Sequence, residues 1–410
     1  MNNLSLSIEE RNQLTARLET APLMLQKRIK LILFYDQGLP THLAAQQAGF
    51  SLSQARFWKH QFLLQRLEII NRHAKQQQEH EIQEIVSLDI SPILPLPGVF
   101  PDDLMDEAGK KILYFHFQEM VKHEAGTIAG EDIEELHDMR VATRRMRAAF
   151  NIFGVFFTPK TINPFLQTLK NTGKSLGEVR DLDVSLEKIR SYLQRLPIEQ
   201  QSGLDPLLNY RNSILDHARQ SLLSHLNSQD YLDFKGNFLN FLQTPGMGSM
   251  AAKKRAPLQT TVRFQAPTLI YSRLANVMAF DSLLNSASYS QLHALRIEFK
   301  KFRYTLEFFK EVLGEESKYL INEIKDLQDH LGELNDANVA CQTITRFLKK
   351  WDDNQNAFPL LDRLNPETVV NFLAYRYAER HQLMISFPEK WNIFNRPELR
   401  QNLAKAVAFL

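Results

Sequence analysis

The segment His137-Asp-Met-Arg140-Val-Ala-Thr-Arg144-Arg145-Met-Arg147 returns 156 residues later as His293-Ala-Leu-Arg296-Ile-Glu-Phe-Lys300-Lys301-Phe-Arg303. The histidine and all four basic positions keep one frame, and both segments carry helical apolar periodicity. On a wheel that starts at the histidine, Arg140, Arg144 and Arg147 fall between ~280° and ~340°. Met139, Ala142, Met146, Ala149, Phe150 and Phe153 fall opposite, at roughly 120–220°. Arg145 stands on the flank at about 80°. The second copy gives the same wheel, with Leu295, Phe302, Leu306 and Phe309 on the apolar side. Each copy is therefore a helix with one face for a core and one cationic stripe.

The chain of 410 residues has room for two or three domains. Its net charge is only +2, so the clustering is informative. Four arginines between 140 and 147 repel one another, and such a cluster usually faces an anion or water. The single cysteine, Cys341, excludes an internal disulfide framework and fits a reducing compartment. The N-terminus lacks an apolar signal core, and no apolar run approaches a membrane span. The expected protein is soluble and cytoplasmic.

Residues 1–22 are polar and are expected to be frayed or loosely helical. From Leu23 to Tyr35 the pattern is helical, with Leu25, Ile29, Ile32 and Leu33 inward, and Gly38 and Pro40 end it. Residues 41–62 read as a short helix, a tight turn at Gly49 and a second helix, with Ser51 and Gln54 at capping-box spacing. Small Ala45 permits a close crossing, and the segment resembles a helix-turn-helix. Gln54, Arg56, Lys59 and His60 would then be exposed, DNA-facing residues. Between 23 and 72, seven basic residues face two acids, which suits nucleic acid. A small docking or dimerisation module explains the same pattern equally well. A Gln/Pro-rich linker over 76–100 separates this domain (1–75) from the rest, 101–410.

Beyond Pro101 nearly every signal is helical. Helices are expected over 103–125, 132–153 with Gly154 as stop, 161–178, 202–226 and 230–242. A loop is expected over 243–268, then helices over 269–286, 290–313 (Ser290 as N-cap, Gly314 as stop) and 317–331, with a helical tail over 366–410. Turns are expected at Gly177–Val184 and Gly332–Val339, followed by helices to Tyr192 and Lys350. These two turn segments, LGEVRDLDV and LGELNDANV, match at an offset of 155, and Lys170 aligns with Lys325. Two related halves, about 101–243 and 266–410, indicate an internal duplication. Such halves commonly pack about a pseudo-two-fold axis, with both stripes lining one groove.

Residues 101–405 resemble the CHAD (conserved histidine α-helical domain) family. The resemblance rests on His-x2-Arg-x3-Arg-Arg-x-Arg, then a lysine and LGxxRDxDV, present in both copies. It implies an all-α fold of two four-helix bundles around a basic cavity, and an association with inorganic polyphosphate. The Glu-x-Glu-x-Lys signature of the family's frequent triphosphate-tunnel partner is absent. Carried over by position, the polyphosphate-binding residues are His137, Arg140, Arg144, Arg145, Arg147 and Lys170 in one half. In the other they are His293, Arg296, Lys300, Lys301, Arg303 and Lys325, and Lys174 is placed with the set. The second half departs from the pattern: lysines replace two arginines, and Asn335 and Asn338 stand where the first half has Arg180 and Asp183. Bidentate phosphate recognition is expected to be poorer there.

Arginine suits a polyanion because it stays charged and its fork fits phosphate oxygens. The histidines would bind phosphate more tightly when protonated, or would simply bond to a neighbouring helix end. Arg180, Asp181, Asp183 and Asp336 read as a structural ion-pair and capping network at a turn. A metal site is not expected, because neither histidine has a second ligand at i+3 or i+4 and arginines would repel a cation. The Gly173-Lys174-Ser175 triplet is no P-loop, since Thr168 stands where its first glycine belongs. No catalytic residues and no cofactor are expected. Two readings remain: a non-enzymatic polyphosphate binder, and a DNA-associated regulator with the helical domain as sensor or scaffold.

Overall fold

The structure is a computed structural model that describes residues 4–18, 23–50, 55, 58–59, 62–63, 66–67, 95–250, 260–356, 359–360 and 363–410. The chain divides into two units, 1–90 and 91–410. The fold is all-α, with only two isolated antiparallel bridges, Leu104 to Thr261 and Phe157 to Ser249, among the described residues.

In the first unit, α1 (Ile8–Leu18), α2 (Leu23–Asp36) and α3 (Thr41–Ala48) surround a core of Leu14, Leu25, Ile29, Leu31, Ile32, Tyr35 and three alanines of α3. Within the stretch expected to be frayed or loosely helical, Ile8–Leu18 is a helix. Ser7 and Glu10 cap α1 reciprocally (2.9 and 3.1 Å), and Leu14 is fully buried. Leu33 is only partly buried, and Leu31 takes the inward place instead. Gly49 adopts φ +73° at the end of α3, a left-handed conformation that glycine takes without a Cβ penalty.

The second unit begins with α4 (Met105–Lys122), the short α5 (Glu124–Ala129), α6 (Ile133–Phe153) and α7 (Pro159–Leu193). Helices α8 (Asp205–Leu226) and α9 (Gln229–Gln243) follow. The later half holds α10 (Val262–Met278), α11 (Tyr289–Phe309), α12 (Glu316–Gln355), α13 (Glu367–Phe394) and α14 (Pro397–Val407). The order of packing is the same in both halves. The basic helix (α6 or α11) lies between the preceding helix (α4 or α10) and the long following helix (α7 or α12), on which α8 or α13 then packs.

Three expectations are corrected here. The turns at Gly177 and Gly332 do not exist: α7 and α12 run unbroken for 35 and 40 residues. Glycine weakens a helix by about 1 kcal/mol relative to alanine. In both helices the buried leucines around the glycine (Leu176 and Leu182; Leu331 and Leu334) hold the backbone helical. Second, α10 starts at Val262, inside the expected loop. The amides of Val262 and Arg263 donate to the carbonyls of Asp103 and Pro101 (3.0 and 2.8 Å), so the helix start is satisfied by the segment before α4. Third, Ser288 rather than Ser290 caps α11, in a reciprocal bond with Gln291, and the helix stops at Phe309. Gly314 instead donates its amide to Ala406 (2.9 Å) at the end of α14.

Among the described residues, the halves meet through apolar side chains at sites that include the following. Phe153 of α6 packs against Phe308 and Phe309 of α11, with centroids 6.3 and 5.7 Å apart. Further along, Ile189 of α7 shares a core with Ile344, Phe347 and Trp351 of α12 and with Val369 and Phe372 of α13. Phe153 is fully buried, so truncating it to alanine should cost about 3–5 kcal/mol.

Candidate functional site

Helix α6 is specified locally. Asp132 caps its start by accepting from the Glu134 amide (2.9 Å), and Gly154 caps its end. Met139, Ala142, Met146, Ala149, Phe150 and Phe153 are buried, which leaves the stripe on the other face. In α11 the residues Leu295, Phe302, Leu306 and Phe309 are likewise fully buried. The basic helices touch each other.

The two stripes converge on Lys300. Burial, and then the charges of Arg144, Arg296, Arg147 and Arg140, pull its pKa down to about 8. One lysine of the second half thus feels three arginines of the first. The Nε atoms of Arg144 and Arg296 are buried and meet no acceptor. Among the described residues, no carboxylate lies within ion-pair distance of Arg144, Arg147, Arg296 or Lys300. Arg144 also rests over the Tyr304 ring, 5.9 Å from its centroid.

Helix α7 positions the arginines of the first half. Arg140 donates to Asp181 (3.0 Å) and lies along Gly177, where an added Cβ would stand 3.5 Å from its Nη2. Arg147 lies along Gly173, where a Cβ would approach its Nη1 to 3.1 Å. These glycines are seats for guanidinium groups rather than turn formers. Burial, with Arg180 and Arg144, holds His137 below the ordinary imidazole pKa. In the second half His293 Nδ1 is 3.1 Å from Asn335 Oδ1, which also accepts from the Tyr289 hydroxyl.

Other candidates stand apart from Lys300. Arg145 turns to Glu307 (3.5 Å) and lines a cavity elsewhere. Arg303 reaches the same carboxylate (3.6 Å), and Lys301 pairs with Glu298 (2.6 Å). Lys170 and Lys325 are exposed, and Lys174 is exposed beside Glu178 (3.9 Å). The acids and asparagines of the LGE segments do form ion pairs and polar bridges, though within helices rather than at turns. Arg180 meets Glu134 (3.6 Å), Arg219 meets Asp183 (3.2 Å), and Arg380 donates to Asn338 (3.0 Å). Arg219 and Arg380 were missed in the sequence, as were Arg211 and Arg376, whose Nε atoms are buried without acceptors. A signal existed: Arg211 sits in the apolar frame of Leu207 and Leu215, and Arg376 in that of Val369 and Phe372.

Of the proposed DNA-facing residues, Gln54, Arg56 and His60 lie outside the described residues. Lys59 is half-buried rather than exposed, with its ammonium 4.8 Å from the Tyr35 ring centroid. Among the described residues, no cluster of three or more His, Cys, Asp or Glu could hold a metal ion. No described helix is long and apolar enough to cross a membrane.

These features define an all-helical protein whose two halves bring a shared set of cations to one place. The CHAD domain family matches residues 111–345, more than half of the chain, and the protein belongs to that family. The CHAD domain from the plant Ricinus communis has a similar fold, with a TM-score of 0.55 at 20% identity, over 73% of this chain and 96% of that one. PptA from Streptomyces chartreusis gives 0.51 at 13% identity, over 70% and 99%. At such identities the likeness is one of fold. No curated protein sequence matches the chain.

Proposed function

We propose that this protein holds inorganic polyphosphate, in the cytoplasm and without catalysing a reaction on it. The observation that carries the reading is Lys300, close to Arg144, Arg147 and Arg296, which meet no carboxylate among the described residues, and to Arg140, which is tied to Asp181. A polyphosphate supplies about one negative charge per phosphate, and fixed guanidinium groups meet it at little ordering cost. The family resemblance supports the same ligand. The test is titration of long-chain polyphosphate into wild type and Arg144→Glu. Wild-type affinity should fall steeply with added salt as counterions are released, and Arg144→Glu should bind at least about thirtyfold more weakly. Equal affinities would remove the stripe from consideration.

A second reading, DNA binding by the first unit, is favoured by α3 and its left-handed Gly49. Gel shifts with genomic fragments, with and without residues 1–75, decide it. An unchanged shift after truncation makes this unit a docking element.

A further inference from the structure

A cavity of about 410 Å³ lies between α4, α6, α11 and α12, and Lys300 is not among its lining residues. Its size falls within the range of about 300–1,000 Å³ typical of small-molecule sites. One wall is apolar, formed by Phe115, Phe308 and Ile321. Arg145, Lys310 and Lys318 also line it, with the carboxylate of Glu307, and Lys318 is paired with Glu315 (2.8 Å). His116, only 6% exposed, lines it too, flanked by Phe115 (centroids 5.2 Å apart) and Phe308 (6.0 Å). Among the described residues its imidazole has no hydrogen-bond partner, although it lines the cavity.

Each part narrows the ligand. Lys318 is already paired with Glu315, so Arg145 and Lys310 are the lining cations that call for an anionic group, and the Glu307 contact holds the Arg145 guanidinium while leaving other donors free. The apolar wall has nothing to offer a bare phosphate chain but suits a flat ring. Burial, with Arg145 and Lys310, pushes the His116 pKa down to about 3. The ring is therefore neutral at physiological pH, with one donor and one acceptor. Asn322 adds an amide with both functions. Paired donors and acceptors beside an aromatic wall match the edge of a heterocyclic base.

We propose that this cavity is a nucleotide site. The base lies against Phe115 and Phe308, its edge meets His116 and Asn322, and its phosphate meets Arg145 and Lys310. The site is independent of the polyphosphate reading, because on the helical wheel Arg145 leaves α6 on a different side from Arg140, Arg144 and Arg147.

The experiment is calorimetric titration of AMP into the full chain, with adenosine and inorganic phosphate as half-ligands. The variants are Lys310→Glu and Asn322→Trp, both at exposed positions, with melting curves to confirm folding. AMP should bind at one site and more tightly than either half-ligand. Each variant should weaken it about tenfold or more, while Asn322→Trp leaves polyphosphate affinity unchanged. Three results overturn the proposal: no AMP binding by wild type, phosphate binding as tightly as AMP, or AMP binding that survives Asn322→Trp and is lost in Lys300→Glu.

Discussion

The two basic helices share one frame but hold their charges differently. In α6 the guanidinium groups are anchored: Arg140 is tied to Asp181 and seated on Gly177, and Arg147 is seated on Gly173. In α11 the matched Arg296 meets no acceptor at Nε, and nothing lies within 4 Å of a Cβ built on the matched Gly332. Arg303 and Lys301 are turned to glutamates, which leaves Lys300 and Arg296 as the second half's cations near the arginines of the first. The histidines differ too, since His137 feels Arg180 where His293 bonds to Asn335. One half therefore presents a fixed row of forks. The other contributes a half-buried ammonium on a flexible stem.

The sharpest way to break this comparison is charge reversal at its centre. Lys300→Glu should lower polyphosphate affinity about a hundredfold, because one charge-assisted contact is lost and a carboxylate binds the arginines in its place. Its melting temperature should not fall, since the carboxylate relieves repulsion among Arg140, Arg144, Arg147 and Arg296. The exposed Lys325→Glu should weaken binding only a few-fold. Comparable losses for the two variants would deny Lys300 any special place.

A smaller effect lies in pH. The folded-state pKa of Lys300 is about 8 against an ordinary 10.5. Between those values the unfolded chain carries a proton that the folded chain lacks. Lys300 thus weakens the fold as pH drops through that window, and the loss is complete below about 8. A bound polyanion favours the ammonium, so above pH 8 binding takes up a proton. Polyphosphate affinity should fall by up to about tenfold from pH 7 to 9. Lys300→Arg should flatten that profile, because arginine keeps its charge. A wild-type profile as flat as that of Lys300→Arg, with matched buffers, would show that Lys300 does not titrate in the site.

Much of this was legible in the sequence because it follows from spacing along single helices. The wheel positions set the buried faces of α6 and α11, and the expected span 132–153 with Gly154 as stop lies within a residue of the observed Ile133–Phe153. Convergence of the stripes was expected from the internal duplication and from the family resemblance but not from spacing along one helix, since it depends on contacts between halves such as Phe153 with Phe309. Gly177 and Gly332 read as turns because glycine is a helix breaker in isolation, whereas buried leucines decide the matter in the fold. Arg211 and Arg376 escaped notice because they sit in apolar frames where a charge is not sought. The anchors of Arg140 and Arg147 come from the next long helix, 41 residues on for Asp181 and 173 − 147 = 26 for Gly173, a distance that no local pattern encodes.

The smallest effect isolates the glycine seats. Gly332→Ala adds a methyl group to open space in a helix interior. It should raise stability by about 0.5–1 kcal/mol through helix propensity, with polyphosphate affinity unchanged. Gly173→Ala makes the same chemical change in the other long helix, but its Cβ would stand 3.1 Å from Arg147 Nη1. The guanidinium must shift by a few tenths of an ångström, so the gain in stability should be smaller and affinity should drop about two- to threefold. Thermal melts and titrations on the pair separate backbone propensity, common to both, from the seating of Arg147, which only one of them disturbs. Identical behaviour would mean that Arg147 finds an equivalent place without its glycine, and that the first half is no more fixed than the second.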